Sequence, residues 1–411
     1  MRQLTLASQA SFEKHGRKSK REVFLDQMEQ VVAWRELLAL VEPHYPKAGN
    51  GRQPVGLSIM LRSYFLQQWF NLSDPGMEEA FYESPVLRRF AGVDLGMAAA
   101  PDETTILRFR HLLEQHELCG KMLDTVNLYL ESKGIRIGTG TIVDATIIHA
   151  PSSTKNSTGE RDPAMHQTKK GNQWYFGAKA HIGVDSKEVV VHSVITSAAS
   201  VADAHMLPDL LHGKEKKVWG DAGYQGQTEA IHEAAPEAQD MTSRRTKFKN
   251  YVDEEAKRKN TTKARVRSKV EHPFRILKRI FGFTKVRYRG IWKNHQWLCA
   301  AFALVNLYQH RNRLAPQGRS VFGGRKTASR EQINHKRRQI PPDFRLDSDR
   351  KRQKSAFSWP LRNQVPAQRF LSKWNGGSGK QDGNEAESAS CVPGFPGDGI
   401  LRCAGTFCEP G

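Results

Sequence analysis

The first third of the chain carries apolar residues at helical spacing. Between Val23 and Val41 the apolar positions follow a 3.6-residue period, and Pro43 and Pro46 would end such a helix. The same period recurs further along the chain, where Asp102 is placed to cap the last helix of the series. These further helices are predicted from Pro54 to Leu72, from Phe81 to Phe90 and from Glu103 to His116. The region before residue 134 is therefore predicted to be all-helical.

From Gly138 onward the pattern changes to short β-branched runs that are separated by turn residues, which is typical of strands. Strands are predicted from Thr141 to Ile148, from Trp174 to Val184 and from Val189 to Thr196. The pattern then alternates: a helix from about Ala202 to Leu211, a strand from Lys217 to Trp219, a helix after Gln225, a helical zone from Lys263 to Ile280, and a closing helix from Trp297 to Tyr308. This order predicts an α/β domain with a mixed sheet.

The patterns divide the chain into three parts. We predict a helical N-terminal domain over residues 1–133 and an α/β domain over residues 134–315. Residues 316–411 form a low-complexity basic tail that is rich in Gly, Ser, Pro, Arg and Lys and has few apolar residues at any period. Such a composition buries too little apolar surface to offset the entropy of ordering, so we predict that the tail is disordered.

Charge narrows the choice of partner. Lys and Arg number 63 against 43 Asp and Glu, which gives a formal net charge of +20 and a pI near 9.8. A chain this basic suits a polyanion far better than an acidic protein surface, so DNA or RNA is the expected partner.

The remaining composition indicates an intracellular setting. The five cysteines contain no C-x-x-C pair, which argues against a zinc ribbon or a disulfide framework. The first residues are polar, and the longest apolar run, from Trp297 to Val305, is too short to cross a bilayer. We therefore expect a cytoplasmic protein that does not interact with membranes.

Three acidic residues are candidates for chemistry. Asp144 lies alone in an otherwise apolar strand, Asp221 ends the strand that starts at Lys217, and Glu271 lies in the last helical zone with Arg267 and Lys278 on its face. Each has a simpler interpretation: Asp144 could face solvent, Asp221 could cap a turn, and Glu271 could belong to a solvated salt-bridge face.

Together the three acids predict a cation site. Carboxylates that converge at one edge of a sheet supply the hard oxygen ligands that Mg²⁺ prefers. Two such ions about 3.5 to 4 Å apart can stabilise the attacking and leaving oxygens of a phosphoryl transfer. We therefore expect two Mg²⁺ ions, with Mn²⁺ as a substitute.

Four motifs carry a resemblance to a known family. They are the loop and strand from Arg161 to His181, the block Gly220-Asp221-Ala222-Gly223-Tyr224, the pattern Arg267-x3-Glu271-x6-Lys278, and the segment Pro101-Asp102-Glu103-Thr104-Thr105. With these motifs the chain resembles, over about residues 10 to 314, the DDE transposases of bacterial insertion sequences. The resemblance is to the insertion-sequence-five group of the insertion-sequence-four-like superfamily.

The resemblance implies a ribonuclease-H-like catalytic core preceded by a helical DNA-binding domain. It implies that Asp144, Asp221 and Glu271 are the catalytic, metal-binding acids. The residues expected to contact DNA are Lys169, Lys170, Trp174, Lys179, His181, Tyr224, Arg267, Arg275, Lys278, Arg287 and Arg289. For His181 a hydrogen-bonded core histidine is an equally good interpretation, and each cation alone could be a solvated charge.

The function expected from this resemblance is DNA transposition. Such an enzyme binds the inverted-repeat ends of its own element as double-stranded DNA, exposes a 3′-OH by hydrolysis and directs it at target DNA, as a homo-oligomer on DNA. Two alternatives remain open, namely a nuclease of the same fold that cuts without joining, and a DNA-binding repressor that has lost catalysis.

Overall fold

The computed structural model describes residues 17–155, 159–246, 251 and 253–315, together with the backbone of residues 400–403. Of the predicted tail, the described part beyond residue 315 is the short strand Ile400–Cys403. The rest of the tail lies outside the described residues, so its predicted lack of order stays a prediction.

Seven helices form the N-terminal part of the described chain, and Asp102 caps one of them as predicted, since its side chain accepts a hydrogen bond from the Thr105 N–H at 2.7 Å. They are α1 (Lys20–Val31), α2 (Trp34–Val41), α3 (Leu57–Phe70), α4 (Asp74–Glu83), α5 (Pro85–Ala91), α6 (Glu103–Gln115) and α7 (Leu118–Ser132). The prediction of an all-helical region before residue 134 is confirmed for the described residues.

Two of the predicted helices are interrupted. The apolar pattern from Val23 to Val41 is divided between α1 and α2, because Val32 has an extended backbone. The pattern from Phe81 to Phe90 is divided between α4 and α5, because Ser84 is also extended and Pro85 follows it. Proline lacks the N–H of a helix interior, so it starts α5 and cannot continue α4.

The strands form one mixed sheet in the described part of the chain, in the order β6-β5-β1-β3-β4-β7, with β2 paired to β3. They are β1 (Gly140–His149), β2 (His166–Lys170), β3 (Gln173–Asp185), β4 (Val191–Ala198), β5 (Lys217–Trp219), β6 (Gln239–Asp240) and β7 (Ile400–Cys403). The predicted strands correspond to β1, β3, β4 and β5, whereas the polar β2 was not predicted as a separate strand.

The directions of the strands are mixed. Strand β3 is antiparallel to β1, β2 and β4, while β5 is parallel to β1 and β6 is parallel to β5. The predicted helix from Ala202 to Leu211 is wrong, because this segment forms two 3₁₀ turns, Asp203–Met206 and Pro208–Leu210. Pro208 starts the second turn, where its missing N–H breaks the ladder of an α-helix.

Later helices surround the sheet. They are α8 (Thr228–Ala234), α9 (Glu254–Arg267), α10 (Glu271–Arg275) and α11 (Ile291–Leu314). A 3₁₀ turn, Ser268–Val270, separates α9 from α10, and a π-helical segment, Ile276–Ile280, follows α10. None of the helices in the described residues combines the length and apolar character that a membrane span requires.

Helix α11 lies in the interior of the molecule. Most of its residues from Ile291 to Leu307 are buried, and it packs against α7 on one side and β4 on the other. A helix that is buried on all sides must be apolar around its whole circumference, as the predicted closing helix is. As a result the helical region and one face of the sheet share a single hydrophobic core.

A buried amide joins α11 to both neighbours. The Asn306 side chain donates to the Asn127 Oδ1 of α7 at 2.9 Å and to the Val191 carbonyl of β4 at 2.8 Å. Its own Oδ1 accepts from the Val191 N–H at 2.9 Å. The Asn306 side chain therefore bonds to both the N–H and the carbonyl of Val191, which is the first residue of β4.

We predict that Asn306→Leu lowers the free energy of unfolding by about 2 to 4 kcal/mol, because it leaves the Val191 backbone groups and Asn127 buried with fewer partners. Denaturant unfolding measures this difference. Asn312→Leu on the exposed side of the same helix is the matched control and should change stability by less than about 0.5 kcal/mol. Equal stability of the two variants would contradict the role given to the amide.

Candidate active site

Asp144 and Asp221 lie side by side where β5 ends. In the parallel pairing of β1 with β5, Ile142 is opposite Trp219, the last residue of β5. Two residues further along each chain are Asp144, still within β1, and Asp221, which begins a turn. The register of this strand pair thus brings the two carboxylates to one edge of the sheet, which we call the acid edge.

Asp144 is largely buried, with 21% of its side chain exposed. Its Oδ1 accepts a hydrogen bond from the Ala145 N–H at 2.9 Å, and the Arg267 Nη1 lies 3.9 Å from its Oδ2. Burial raises the pKa of Asp144 to about 6, and the nearby charges of Asp221 and Asp203 also raise it, against the lowering effects of the Ala145 N–H and Arg267. The alternative of a solvent-facing surface aspartate does not fit this environment.

Asp221 also has the turn-capping contact of its simpler interpretation. Its Oδ1 accepts a hydrogen bond from the Gly223 N–H at 2.8 Å, within the 3₁₀ turn Ala222–Tyr224. A Cβ at Gly223 would lie 2.9 Å from this same oxygen, so a side chain at that position would crowd the carboxylate. One carboxylate oxygen is thus held in place by the turn.

Glu271 is placed differently from the sequence expectation. It is the first residue of α10 and is exposed, while Arg267 at the end of α9 and Lys278 in the π-helical segment both contact β1. The Lys278 Nζ donates to the Thr146 Oγ1 at 2.6 Å and to the Ile147 carbonyl at 2.7 Å. The 3₁₀ and π segments change the number of residues per turn, so the single face expected of a regular helix does not apply.

The three acids do not form a closed cluster. In the described ranges, no group of three His, Cys, Asp or Glu side chains is arranged to hold a metal ion. The acid edge nevertheless fits a hard cation, because the charge of Asp221 adds to the rise in the pKa of Asp144 and Mg²⁺ binds proteins through as few as one or two carboxylates. Asp144 and Asp221 are therefore the residues that could hold a metal here. Glu271 follows Arg267, which contacts Asp144, by four residues in the sequence.

Sequence reasoning missed Asp203. This residue starts the 3₁₀ turn after β4, and its Oδ1 lies 2.9 Å from the Lys179 Nζ and 3.9 Å from the His181 Nδ1. The buried Tyr224 hydroxyl, which has no hydrogen-bond partner, is within electrostatic range of Asp203, Asp144 and Asp221. The available sequence signal for Asp203 was a single acidic residue shortly after a strand. The helix predicted from Ala202 to Leu211 included this residue and gave it no functional role.

Two of the expected DNA contacts are buried. His181 is 0% exposed, and its Nε2 forms a hydrogen bond of 2.8 Å with the Ser197 Oγ, so the core-histidine interpretation describes it. Burial lowers the pKa of His181 to about 4, which keeps the ring neutral near pH 7. Tyr224 is 1% exposed. The DNA contacts expected of these two side chains stay predictions, and in this structure neither side chain reaches the surface.

The other expected contacts differ in accessibility. Arg275 and Arg289 are exposed, whereas Lys179 donates to the Val201 carbonyl at 2.7 Å and is mostly buried. Arg287 is partly buried and donates to the Asn71 carbonyl at 2.7 Å, which ties it to the end of α3. Exposed cations remain free to meet phosphate, while Lys179, Arg287 and Lys278 already have partners within the protein.

A hairpin extends from the sheet near these cations. Strands β2 and β3 pair with Lys169 opposite Trp174, and we call this hairpin, residues 166–177, the arm. Trp174 is 63% exposed, and the Lys169 Nζ lies 5.8 Å from the centre of its ring. Lys169 and Lys170 are exposed as well. An exposed tryptophan among cations is unusual on a surface that meets only water.

Comparison with protein families agrees with the resemblance. Residues 136–307 match the family model of the transposase DDE domain, and residues 12–112 match that of a transposase domain (DUF772). These matches support a DDE transposase. The DDE transposase domain contains Asp144, Asp221 and Glu271, and the second match covers helices α1 to α5 and most of α6. No solved structure matches the chain significantly.

Matches of this kind imply general properties. DDE transposases act on DNA as nucleases and transesterases, and their DDE domains generally use divalent metal ions. Within the matched residues 136–307, the acid edge is the place where the largely buried Asp144 of β1 lies beside Asp221, which follows β5.

We predict that Asp144→Asn stabilises the metal-free protein at pH 8. The folded pKa lies above the ordinary value of 3.8, so the folded chain binds the proton more tightly and stability falls as pH rises from about 4 through 6. The shift to about 6 corresponds to at most about 3 kcal/mol at 1.4 kcal/mol per pH unit.

Thermal unfolding in EDTA at pH 4 and pH 8 measures this effect. The Tm of Asp144→Asn should exceed that of the wild type at pH 8, and the difference should disappear near pH 4. Glu233→Gln, which changes an exposed acid on α8, should follow the wild type at both values. A variant that is less stable than the wild type at pH 8 would show that the charge of Asp144 is well compensated.

Proposed function

We propose that this protein is the DNA transposase of an insertion sequence of the insertion-sequence-five group. It binds the inverted-repeat ends of its element as double-stranded DNA, cleaves a strand with the help of Mg²⁺, and joins the resulting 3′-OH to target DNA. The observation that carries this proposal is the register of β1 and β5, which brings Asp144 and Asp221 together within the matched DDE domain.

The order of strands supports a ribonuclease-H-like catalytic domain. Three antiparallel strands, β1, β3 and β4, are followed by two strands that are parallel to the first, β5 and β6. Ligands of such sheets gather where a parallel strand ends and a loop begins, as Asp221 does after β5. The helical domain before residue 134 is assigned to recognition of the element ends.

In this proposal Asp144 and Asp221 hold the divalent ions, and Glu271 completes the set. Bound Mg²⁺ supplies stabilisation of charge on the attacking and leaving oxygens of the phosphodiester. Arg267, 3.9 Å from Asp144, fixes one carboxylate oxygen and balances part of the negative charge. Glu271 is exposed at the start of a short helix that is bounded by a 3₁₀ turn and a π segment, four residues after Arg267.

We predict that Asp144→Asn, Asp221→Asn and Glu271→Gln each reduce cleavage of end-containing DNA by about 1000-fold or more, while DNA binding is retained. Each amide keeps the shape of the side chain and removes the charge of a metal ligand, and metal stabilisation of the transition state amounts to several kcal/mol. A gel assay of nicking measures cleavage, and a filter-binding assay measures DNA binding. A variant with normal cleavage would remove its residue from the proposed site.

The same assay separates the alternatives. A strand-transfer product, in which end DNA is joined to a target plasmid, distinguishes a transposase from a nuclease of the same fold. Binding of the ends without any cleavage in Mg²⁺ or Mn²⁺ would instead favour the repressor. The acid edge favours the enzyme, because a repressor gains nothing from burying the Asp144 carboxylate next to a second acid.

We further propose that the arm contacts DNA. Lys169 and Lys170 are placed to meet phosphates, and Trp174 offers an exposed ring on which a base can stack. The exposed Arg275 and Arg289 add positive charge to the same domain. The buried acids then lie in a chain whose surface attracts the phosphates that surround the reacting bond, and a homo-oligomer on DNA would bring two ends together.

We predict that Lys169→Ala and Lys170→Ala together weaken DNA binding and lower the slope of log K against log salt by about 0.9 for each phosphate contact that is lost. Trp174→Ala should weaken binding by about 1 to 3 kcal/mol, and Trp174→Phe should retain most of the affinity because it keeps an aromatic face. Fluorescence anisotropy at several salt concentrations measures both effects.

Lys187→Ala is the control for the arm, since this exposed lysine lies just beyond the opposite end of β3. Its salt slope should equal that of the wild type. If the double lysine variant and Trp174→Ala both bind DNA as the wild type does, the arm is not a DNA-binding surface.

A further inference from the structure

Asp203 lies at the centre of buried polar contacts that the proposed catalytic acids do not explain. Its carboxylate pairs with Lys179 at 2.9 Å, and the His181 Nδ1, which has no hydrogen-bond partner, is 3.9 Å away. Lys179 is held in turn by the Val201 carbonyl at 2.7 Å. A mostly buried lysine with this geometry stabilises one position of the loop that follows β4.

The turn that starts at Asp203 packs against the turn that carries Asp221. These are the 3₁₀ turns Asp203–Met206 and Ala222–Tyr224, and they are in direct contact. Asp221 is the residue that caps the second turn, through its hydrogen bond with the Gly223 N–H. The position of the Asp221 carboxylate therefore depends on where the first turn holds the second.

The Tyr224 hydroxyl supplies an independent observation. The ring packs in the small core on this side of the sheet, and the hydroxyl is buried without a hydrogen-bond partner. Its pKa is raised well above 10, first by burial and then by the charges of Asp203, Asp144 and Asp221. A buried donor without a hydrogen-bond partner is costly, and the three carboxylates within its electrostatic range are potential acceptors for this hydroxyl.

We propose that Asp203 is a positioning residue of the acid edge: paired with Lys179, it fixes the Asp203–Met206 turn against the turn of Tyr224 and so holds the Asp221 carboxylate beside Asp144. Asp203 is not assigned as a metal ligand in this proposal, because its carboxylate pairs with Lys179 at 2.9 Å. This inference rests on the proposed function, since it takes Asp144 and Asp221 as the groups that hold the cation.

The test is a titration of the full chain with Mn²⁺, in which electron paramagnetic resonance monitors the decrease of the free-ion signal. We expect Asp203→Asn to weaken Mn²⁺ binding by about tenfold or more, as the loss of a group that orients metal ligands does. Tyr224→Phe, which removes only the hydroxyl, should weaken it in the same direction. Lys179→Met combined with Asp203→Asn should be no weaker than Asp203→Asn alone, because both changes break one ion pair.

Two controls identify the source of any effect. Glu229→Gln, an exposed acid on α8, should bind Mn²⁺ as the wild type does. Far-ultraviolet circular dichroism establishes that each variant is folded, and if Asp203→Asn is unfolded, Asp203→Glu replaces it, since it keeps the charge and displaces it by one methylene. We expect Asp203→Glu to bind Mn²⁺ more weakly than the wild type and more tightly than a folded Asp203→Asn would.

The outcomes separate this inference from the proposed function. Loss of Mn²⁺ binding in Asp144→Asn and Asp221→Asn, with wild-type binding in the folded Asp203 variant, would overturn the role of Asp203 alone. Wild-type binding in Asp144→Asn and Asp221→Asn would overturn the proposed metal site and this inference with it. A folded Asp203 variant that binds Mn²⁺ at least tenfold more weakly supports the inference.

Discussion

The arrangement of this protein depends on the burial of one helix, α11, between the helical domain and the sheet. Most of this helix from Ile291 to Leu307 is removed from water, so a polar side chain there is costly unless a neighbouring element supplies a partner. Asn306 meets this requirement by bonding to Asn127 of α7 and to both backbone groups of Val191 in β4. The hydrogen bonds fix the angle and height of the helix in a way that apolar contacts alone do not, because dispersion has little directional preference. The sheet, and with it the candidate site, is positioned relative to the helical domain by this contact.

The acid edge is a local departure from what a stable core would favour. Asp144 is buried in a strand, its pKa is raised to about 6, and the nearby negative charges of Asp221 and Asp203 make its ionisation less favourable still. A sequence selected only for folding would place an apolar side chain there, and Arg267 at 3.9 Å compensates the charge only in part. Conflicts between a local residue and its environment of this kind are typical of functional sites. Binding of a cation by Asp144 would explain why a carboxylate is kept in this unfavourable, largely buried position.

Local patterns predicted most of the regular structure. Runs of β-branched residues between turn residues located β1, β3, β4 and β5, and a continuous apolar segment located the buried α11, because burial leaves a direct mark on composition. The breaks at Val32 and Ser84 were missed because one apolar stripe continues across each pair of helices, and β2 was missed because its exposed residues carry no apolar pattern. The two strand acids could be identified as candidates from their unusual surroundings. Their proximity depends on the pairing of β1 with β5, and Asp203 depends on the packing of two turns, so neither could be derived from local sequence.

Strand β3 contributes to or borders three proposed functional features of the α/β domain, namely the arm, the Lys179–Asp203 pair and the acid edge. Its first residues form the arm, Lys179 in its middle holds Asp203, and Ile182 lies opposite Asp144 in the pairing with β1. At Gly177 the partner of the strand changes from β1 to β2, and a Cβ there would lie 2.1 Å from the Ile148 carbonyl, so only glycine allows the two strands to stay this close. The arm is therefore a continuation of the strand that borders the acid edge, and its direction is set by the same backbone. Along this strand Trp174 lies eight residues before Ile182, which is opposite Asp144, so the proposed DNA contact of the arm is joined to the acid edge by one continuous β-strand, which is more rigid than a loop.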